Sequence, residues 1–166
     1  MGMSRKLAGV GLLVGLLLAG CGITVPTDPY GTLDRVRDGV LRVGATHNPP
    51  WVEVGADDIP TGDEVDLVER FAREHGATIE WSISSEEVLI GDLEHGEVDL
   101  VIGGVTDATP WTDRVAMTVP YDSARDERGQ THKHVMLVRM GENRFQFALE
   151  TFLLEQGEQG EQGEQG

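Results

Sequence analysis

The chain has 166 residues, of which 39% are hydrophobic, and this is enough for one compact domain with its own core. Its 29 acidic residues outnumber its 13 basic residues, and the formal net charge of -16 disfavours nucleic acid and anionic lipid surfaces as electrostatic partners. The single cysteine excludes an internal disulfide and a four-cysteine metal site.

The N-terminus has the pattern of an export signal. Arg5 and Lys6 precede an apolar run at 7–18, which is short for a transmembrane helix and typical of the hydrophobic region of a secretory signal. The run ends in Leu-Ala-Gly-Cys at Cys21, which resembles a bacterial lipoprotein signal, whose cysteine is acylated and becomes the mature N-terminus. The alternative is an uncleaved anchor helix with an incidental thiol.

We therefore predict a lipoprotein signal peptide over 1–20, lipidation (palmitate) at Cys21 and a short spacer over 22–31. These features imply an extracytoplasmic protein that is lipid-anchored to the bacterial cell membrane. Because the chain is strongly acidic, the attachment depends on lipid rather than on basic residues.

Strands and helices alternate in the sequence after the spacer. The predicted elements are a short helix from Thr32, a strand over 41–45, a helix over 65–75, an alternating strand over 78–83, a helix between Ser84 and Gly96, and a buried strand over 98–102. Such an alternation indicates parallel strands that are joined by right-handed crossovers, with helices on both faces of the sheet.

Two loops that follow strands carry side chains suited to a small ligand. The proline pair 49–50 forbids helix and presents Trp51 from a stiff loop, where the indole is either a ligand platform or a plug of the core. The glycine pair 103–104 allows close backbone approach, and Thr106 and Arg114 follow it. Open α/β sheets bind ligands beyond the carboxyl ends of their strands, so we predict a site there.

The order of these features resembles the first lobe of type II extracytoplasmic (periplasmic) solute-binding proteins, above all amino-acid-binding family 3, which feeds ABC importers. The matching segments are LRVGA at 41–45, Pro50-Trp51, Gly62 with VDLV at 65–68, GEVDL at 96–100 and TVPY at 118–121. The resemblance implies a three-layer α/β lobe over 32–154, with a mostly parallel sheet, helices on both faces and an antiparallel edge strand.

The resemblance also implies a set of ligand-binding positions in the first lobe. Arg114 is the expected anchor of a solute carboxylate, since a guanidinium donates two parallel charge-assisted hydrogen bonds to it. The alternative is that Arg114, which follows Asp113, forms a surface ion pair of small energetic effect. The implied ligand-binding residues are Asn48, Trp51, Gly104, Thr106 and Arg114.

After Tyr121 the sequence departs from the family pattern. The family has a second lobe at this point, whereas this chain has the charged, turn-forming segment 122–131. A strand over 134–138 and a helix with apolar residues at 145, 148, 149 and 152 then resemble the end of the first lobe. We predict a single lobe, with 117–121 and 133–138 forming an antiparallel hairpin at the sheet edge. The glycine-rich EQG repeat at 155–166 is predicted to be disordered.

Other chemistry finds less support in the sequence. His132 and His134 share one face of a strand and are weak zinc or copper ligand candidates, with polar surface as the alternative. No nucleophile elbow, phosphate-binding loop or cofactor motif is present, so we expect neither an enzyme nor a cofactor.

The leading hypothesis is an extracytoplasmic module with weak or partner-assisted binding of a small carboxylate-bearing solute, such as an amino acid, linked to an ABC importer. The alternative is a non-transport interaction lipoprotein, which docks on another protein through its former ligand face or its hairpin edge. A metal-binding lipoprotein is the third.

Overall fold

The computed structural model describes residues 27–125 and 128–163. The predicted signal peptide and Cys21 lie outside the described residues. Within those residues, no helix is both long enough and apolar enough to cross a membrane. In chain order the elements are α1 (Thr32–Val36), β1 (Val40–Ala45), β2 (Glu53–Val54), β3 (Pro60–Thr61), α2 (Asp63–Glu74), β4 (Thr78–Ile83), α3 (Glu86–His95), β5 (Leu100–Ile102), β6 (Ala116–Met117), β7 (Asp122–Arg125), β8 (Thr131–His134), β9 (Leu137–Val138) and α4 (Asn143–Gly163).

The main sheet has five strands in the order β4, β1, β5, β9, β6. The first three are parallel, and in their register Val43 of β1 pairs with Trp81 on one side and with Leu100 on the other. β9 runs antiparallel between β5 and β6. The mostly parallel α/β lobe is therefore confirmed, with its antiparallel strand one position inside the edge strand β6.

Helices cover both faces of the sheet and divide the core into two clusters. Leu100 and Ile102 of β5 pack on the side of α1, α2 and α4, whereas Val101 between them packs on the side of α3. This alternation follows from the opposite directions of successive side chains in a strand. Gly44 of β1 lets α3 approach the sheet, since a Cβ there would lie 2.8 Å from Cδ2 of Leu89.

The segment after Tyr121 forms a hairpin in place of a second lobe. β7 and β8 pair antiparallel in a small sheet of their own, with Asp122 opposite His134. The chain then enters the main sheet as β9, which pairs with β6 through Met117 and Leu137. The predicted pairing of 117–121 with 133–138 is present, since Met117 pairs with Leu137 and the N–H groups of Thr118 and Tyr121 donate to the carbonyls of Met136 and His134 at 2.9 and 3.1 Å, and β7 and β8 extend it.

The C-terminal helix is longer than the sequence predicts. α4 continues to Gly163, into the repeat for which glycine content favours disorder. The helix is anchored by buried Phe145, Leu149 and Phe152, and Arg70 of α2 donates a hydrogen bond of 2.9 Å to Gln156. Glu and Gln are good helix formers, so a helix nucleated by packing extends into the repeat.

Candidate functional site

A cleft of about 280 Å³ lies where β1 and β5 end. It is the sheet edge at which the sequence predicts a ligand site. The loop after β1 contributes Asn48, the start of α3 contributes Glu86, and the remaining lining residues follow β5: Gly103, Gly104, Val105, Thr106, Ala108, Thr109 and Pro110.

The loop after β1 is closed on itself and tied to the loop after β5. The Asn48 N–H donates to the Val52 carbonyl at 2.8 Å, and the Val52 N–H donates back at 3.1 Å, around a cis peptide bond between Pro49 and Pro50. The side-chain amide of Asn48 donates to the Gly103 carbonyl at 2.8 Å. These bonds hold the two loops that border the cleft together.

Gly104 is where the two loops come closest. Its φ is +67°, and a Cβ on it would lie 2.5 Å from Cδ1 of Trp51 and 2.6 Å from Nδ2 of Asn48. A side chain at this position would therefore meet both steric and backbone strain. Three of the predicted site residues, Asn48, Trp51 and Gly104, are thus brought together.

Trp51 is half-buried, and its ring packs at a tilt against His134, a residue that the sequence suggested only as a weak metal-ligand candidate. Its ring lies 3.9 Å from the His134 ring, centroid to centroid, and His134 is only 5% exposed. Burial lowers the pKa of His134, which therefore favours the neutral imidazole. Thr106 forms a β-bridge with His134, so the predicted Trp51 and Thr106 share this histidine as a neighbour.

Glu64 is a central residue of the site that sequence reasoning missed. It is fully buried, and its carboxylate accepts hydrogen bonds from the Gly103 N–H at 2.7 Å, the Gly104 N–H at 2.9 Å and the Tyr121 hydroxyl. Burial raises the pKa of Glu64, and the three hydrogen bonds oppose that rise. The carboxylate thus fixes the glycine pair from the core side.

The signal for Glu64 was present in the helical spacing. Acidic residues in the first turn of a helix are usually solvent-exposed, so Glu64 was not among the predicted site residues. Glu64 is four residues before Val68, so it lies on the buried side of α2 rather than its solvent side.

Arg114 forms an ion pair with Glu94 and is not among the residues that line the cleft. Its guanidinium donates to Glu94 of α3 through Nε at 3.1 Å and through Nη2, and its central carbon lies 5.3 Å from the Trp111 ring centroid. The hydrogen bonds lower the pKa of Glu94 and raise the pKa of Arg114. The structure therefore places Arg114 with α3, and does not bring it into contact with Trp51 or Thr106.

Trp111 connects Arg114 to the cleft. Its indole Nε1–H donates to Oε1 of Glu86, which lines the cleft. Beside them, the Thr109 hydroxyl oxygen is buried and finds no hydrogen-bond partner within the described part of the chain. Neither Glu86 nor Thr109 was predicted as a site residue, because a carboxylate in a first helical turn and a threonine in a loop are common structural residues.

The two histidines that the sequence suggested as weak metal ligands differ in burial. His134 is buried against Trp51, whereas His132 is half-buried on the same strand. Across 27–125 and 128–163, no group of three or more His, Cys, Asp or Glu side chains is arranged to hold a metal ion.

A cleft of this kind, at the carboxyl ends of parallel strands in an α/β lobe, is typical of a solute-binding domain. The chain belongs to the bacterial extracellular solute-binding proteins, family 3, which it matches over residues 41–164. It is also similar to the arginine-bound form of domain 1 from TmArgBP, with 25% identity, a TM-score of 0.65 and coverage of 74% of this chain and 97% of that one. An ancestral cationic amino acid solute-binding protein, AncCDT-1, shares the fold at 16% identity, with a TM-score of 0.68 and coverage of 78% and 95%.

The curated proteins that the chain resembles are much longer than the matched segment. Membrane-bound lytic murein transglycosylase F from Vibrio cholerae serotype O1 is 38% identical over 99 residues, which are 57% of this chain and 18% of that protein. The protein of the same name from Photobacterium profundum is 35% identical over 104 residues, 61% of this chain and 20% of that protein. The chain thus matches about a fifth of the length of these relatives.

Proposed function

We propose that the protein is a lipid-anchored, extracytoplasmic module with weak or partner-assisted binding of a small carboxylate-bearing solute, such as an amino acid. The observation that carries the proposal is the cleft between the loops after β1 and β5, bordered by Asn48, Gly104 and Thr106. Arginine in the related domain of TmArgBP supports an amino acid as the solute class.

Each proposed binding residue has a role that its chemistry supports. Asn48 and the backbone of Gly104 line the cleft, and Trp51 packs beside them against Gly104 and His134, where it supports the wall without being one of its lining residues. Thr106 offers a hydroxyl to the solute. Arg114 binds the carboxylate after exchanging its bonds from Glu94, an exchange that a partly exposed ion pair permits at little cost.

Binding to this cleft is weak because the solute is covered from one side. The β7–β8 hairpin occupies the place in the chain where two-lobed relatives insert a closing domain. A ligand that stays partly in water leaves polar groups solvated and buries little apolar area. A partner protein, such as an ABC permease, would supply the missing cover.

Calorimetry of the full chain in non-ionic detergent, against a panel of amino acids at millimolar concentration, tests this function. We expect a heat of binding for at least one amino acid, and a loss of affinity in Arg114→Ala. The matched control is Arg73→Ala, which removes an exposed arginine of α2. Absence of heat for the whole panel, or binding untouched by Arg114→Ala, would contradict the proposal.

The second candidate function is docking on another protein. It is favoured by the curated relatives, in which the matched segment is about a fifth of a longer chain. The former ligand face or the hairpin edge would then be the docking surface. Light scattering and cross-linking would show a partner or an oligomer that amino acids do not displace.

A further inference from the structure

We propose that Glu86 binds the positively charged group of the solute, so that the cleft selects cationic amino acids over neutral ones of the same shape. This inference rests on the proposed solute-binding function and adds the solute's charge to it. Glu86 is the charged residue among the described residues that line the cleft.

The carboxylate of Glu86 is held in place and retains binding capacity. The Trp111 indole N–H donates to Oε1, and that single bond fixes the side chain at the start of α3. An ionised carboxylate has two oxygens and about four acceptor sites, so one donor leaves room for a guanidinium or an ammonium group. Hydrogen bonds between ionised partners are about twice as strong as neutral ones.

Thr109 is a second polar residue of the same cleft. Its hydroxyl oxygen is buried and finds no hydrogen-bond partner among the described residues, although buried polar groups are almost always bonded. Thr109 and Glu86 both line the cleft. The Thr109 oxygen has almost no accessible surface, so a ligand cation meets Glu86 rather than this hydroxyl, and a guanidinium with several N–H donors in one plane suits the two oxygens of a carboxylate.

Arg114, which lies over the same tryptophan that binds Glu86, is paired with Glu94. The guanidinium of Arg114 lies over the Trp111 ring. Its charge is compensated by two hydrogen bonds to Glu94. The chain also carries a formal net charge of -16, which raises the local concentration of cationic solutes. The charge of Glu86 is therefore available to a ligand cation.

The test compares L-arginine with L-citrulline, which has the same shape but a neutral urea group in place of the guanidinium. Calorimetry of the full chain in non-ionic detergent would give both dissociation constants for the wild type, Glu86→Gln and Glu87→Gln. Glu86→Gln keeps an acceptor for Trp111 and removes the charge. Glu87→Gln removes an exposed charge at the next position and is the matched control.

We expect the wild type and Glu87→Gln to bind arginine about tenfold more tightly than citrulline, as for one charge-assisted hydrogen bond. Glu86→Gln should bind the two solutes equally. Equal binding of both by the wild type, or an arginine preference that survives in Glu86→Gln, would overturn the assignment of Glu86 and leave the proposed function standing. Binding of neither solute, nor of any amino acid in the wider panel, would overturn both.

Discussion

Two glutamates border the glycine loop after β5, and their surroundings differ. Glu64 is fully buried and accepts three hydrogen bonds from the loop and from Tyr121. Glu86 is half-buried, lines the cleft and accepts a bond from Trp111. Glu64 thus stabilises the loop from the core, whereas Glu86 presents its carboxylate to the cleft. Burial and hydrogen bonding, rather than residue type, thus separate the structural role of Glu64 from the binding role proposed for Glu86.

The largest expected effect is on the buried member of this comparison. Glu64→Ala leaves two backbone N–H groups and the Tyr121 hydroxyl without their acceptor in the core. We expect the free energy of unfolding to fall by about 3 to 5 kcal/mol, since each buried donor that loses its acceptor costs about 1 to 3 kcal/mol. Urea unfolding followed by circular dichroism measures it. Glu69→Ala, an exposed position of the same helix, is the control. A loss no larger than in that control would make Glu64 dispensable.

A smaller loss is expected where the loop meets Trp51. Gly104→Ala places a Cβ 2.5 Å from the indole at a φ of +67°. We expect destabilisation of about 1 to 3 kcal/mol together with loss of solute affinity, since backbone strain and a displaced tryptophan act together. Gly91→Ala is the matched control: a Cβ there meets nothing within 4 Å, and alanine favours the helix α3. Equal stability of the two variants would show that the close approach at Gly104 is not required.

The pH dependence of stability tests the burial of His134 against Trp51. Because burial lowers the pKa of His134 in the folded protein, the unfolded chain binds its proton first as the pH falls. The stability contributed by neutral His134 is therefore present above the unfolded pKa of about 6.5 and is lost as the pH falls through the folded pKa. Urea unfolding between neutral and acidic pH should show a shallower decline for His134→Gln than for the wild type. The exposed His95→Gln should keep the wild-type slope, and a His134→Gln slope equal to it would refute the prediction.

The smallest expected effect concerns Arg114, which is bound to Glu94. Glu94→Gln removes the competing carboxylate charge, so a solute carboxylate should recruit Arg114 more easily. We expect a severalfold gain in amino acid affinity by calorimetry, with Glu97→Gln as the control at an exposed position. Unchanged affinity in Glu94→Gln would show that Arg114 stays in its surface ion pair.

The sequence predicted the fold better than it predicted the site. The parallel order of β1, β4 and β5 follows from local patterns, such as the alternating strand over 78–83 and Gly96, whose φ of 73° ends α3. The antiparallel pair expected at the edge of the sheet is present, with β9 next to β5 and β6 outermost, an order that the sequence left open. Strand order depends on pairings between residues far apart in sequence, and local patterns do not fix these.

At the site, the residues that follow strands were predictable from sequence, whereas Glu86, which reaches the cleft from the start of a helix, was not. Asn48, Trp51 and Gly104 come together because β1 and β5 are neighbours. Arg114 lies with Glu94, a partner from another element that no spacing rule identifies. Glu86 was missed for the same reason: its partner Trp111 is 25 residues away in the chain.

Nuclear magnetic resonance of the isotope-labelled full chain in detergent micelles tests the central claim most directly, because it locates binding as well as detecting it. We predict that millimolar L-arginine shifts the backbone amide signals of Asn48, Gly104 and Thr106 and the indole signal of Trp111. Signals of the helical face around Phe147, which is 63% exposed, should stay in place. Shifts confined to that face, or a spectrum that arginine leaves unchanged, would contradict a solute site at the cleft.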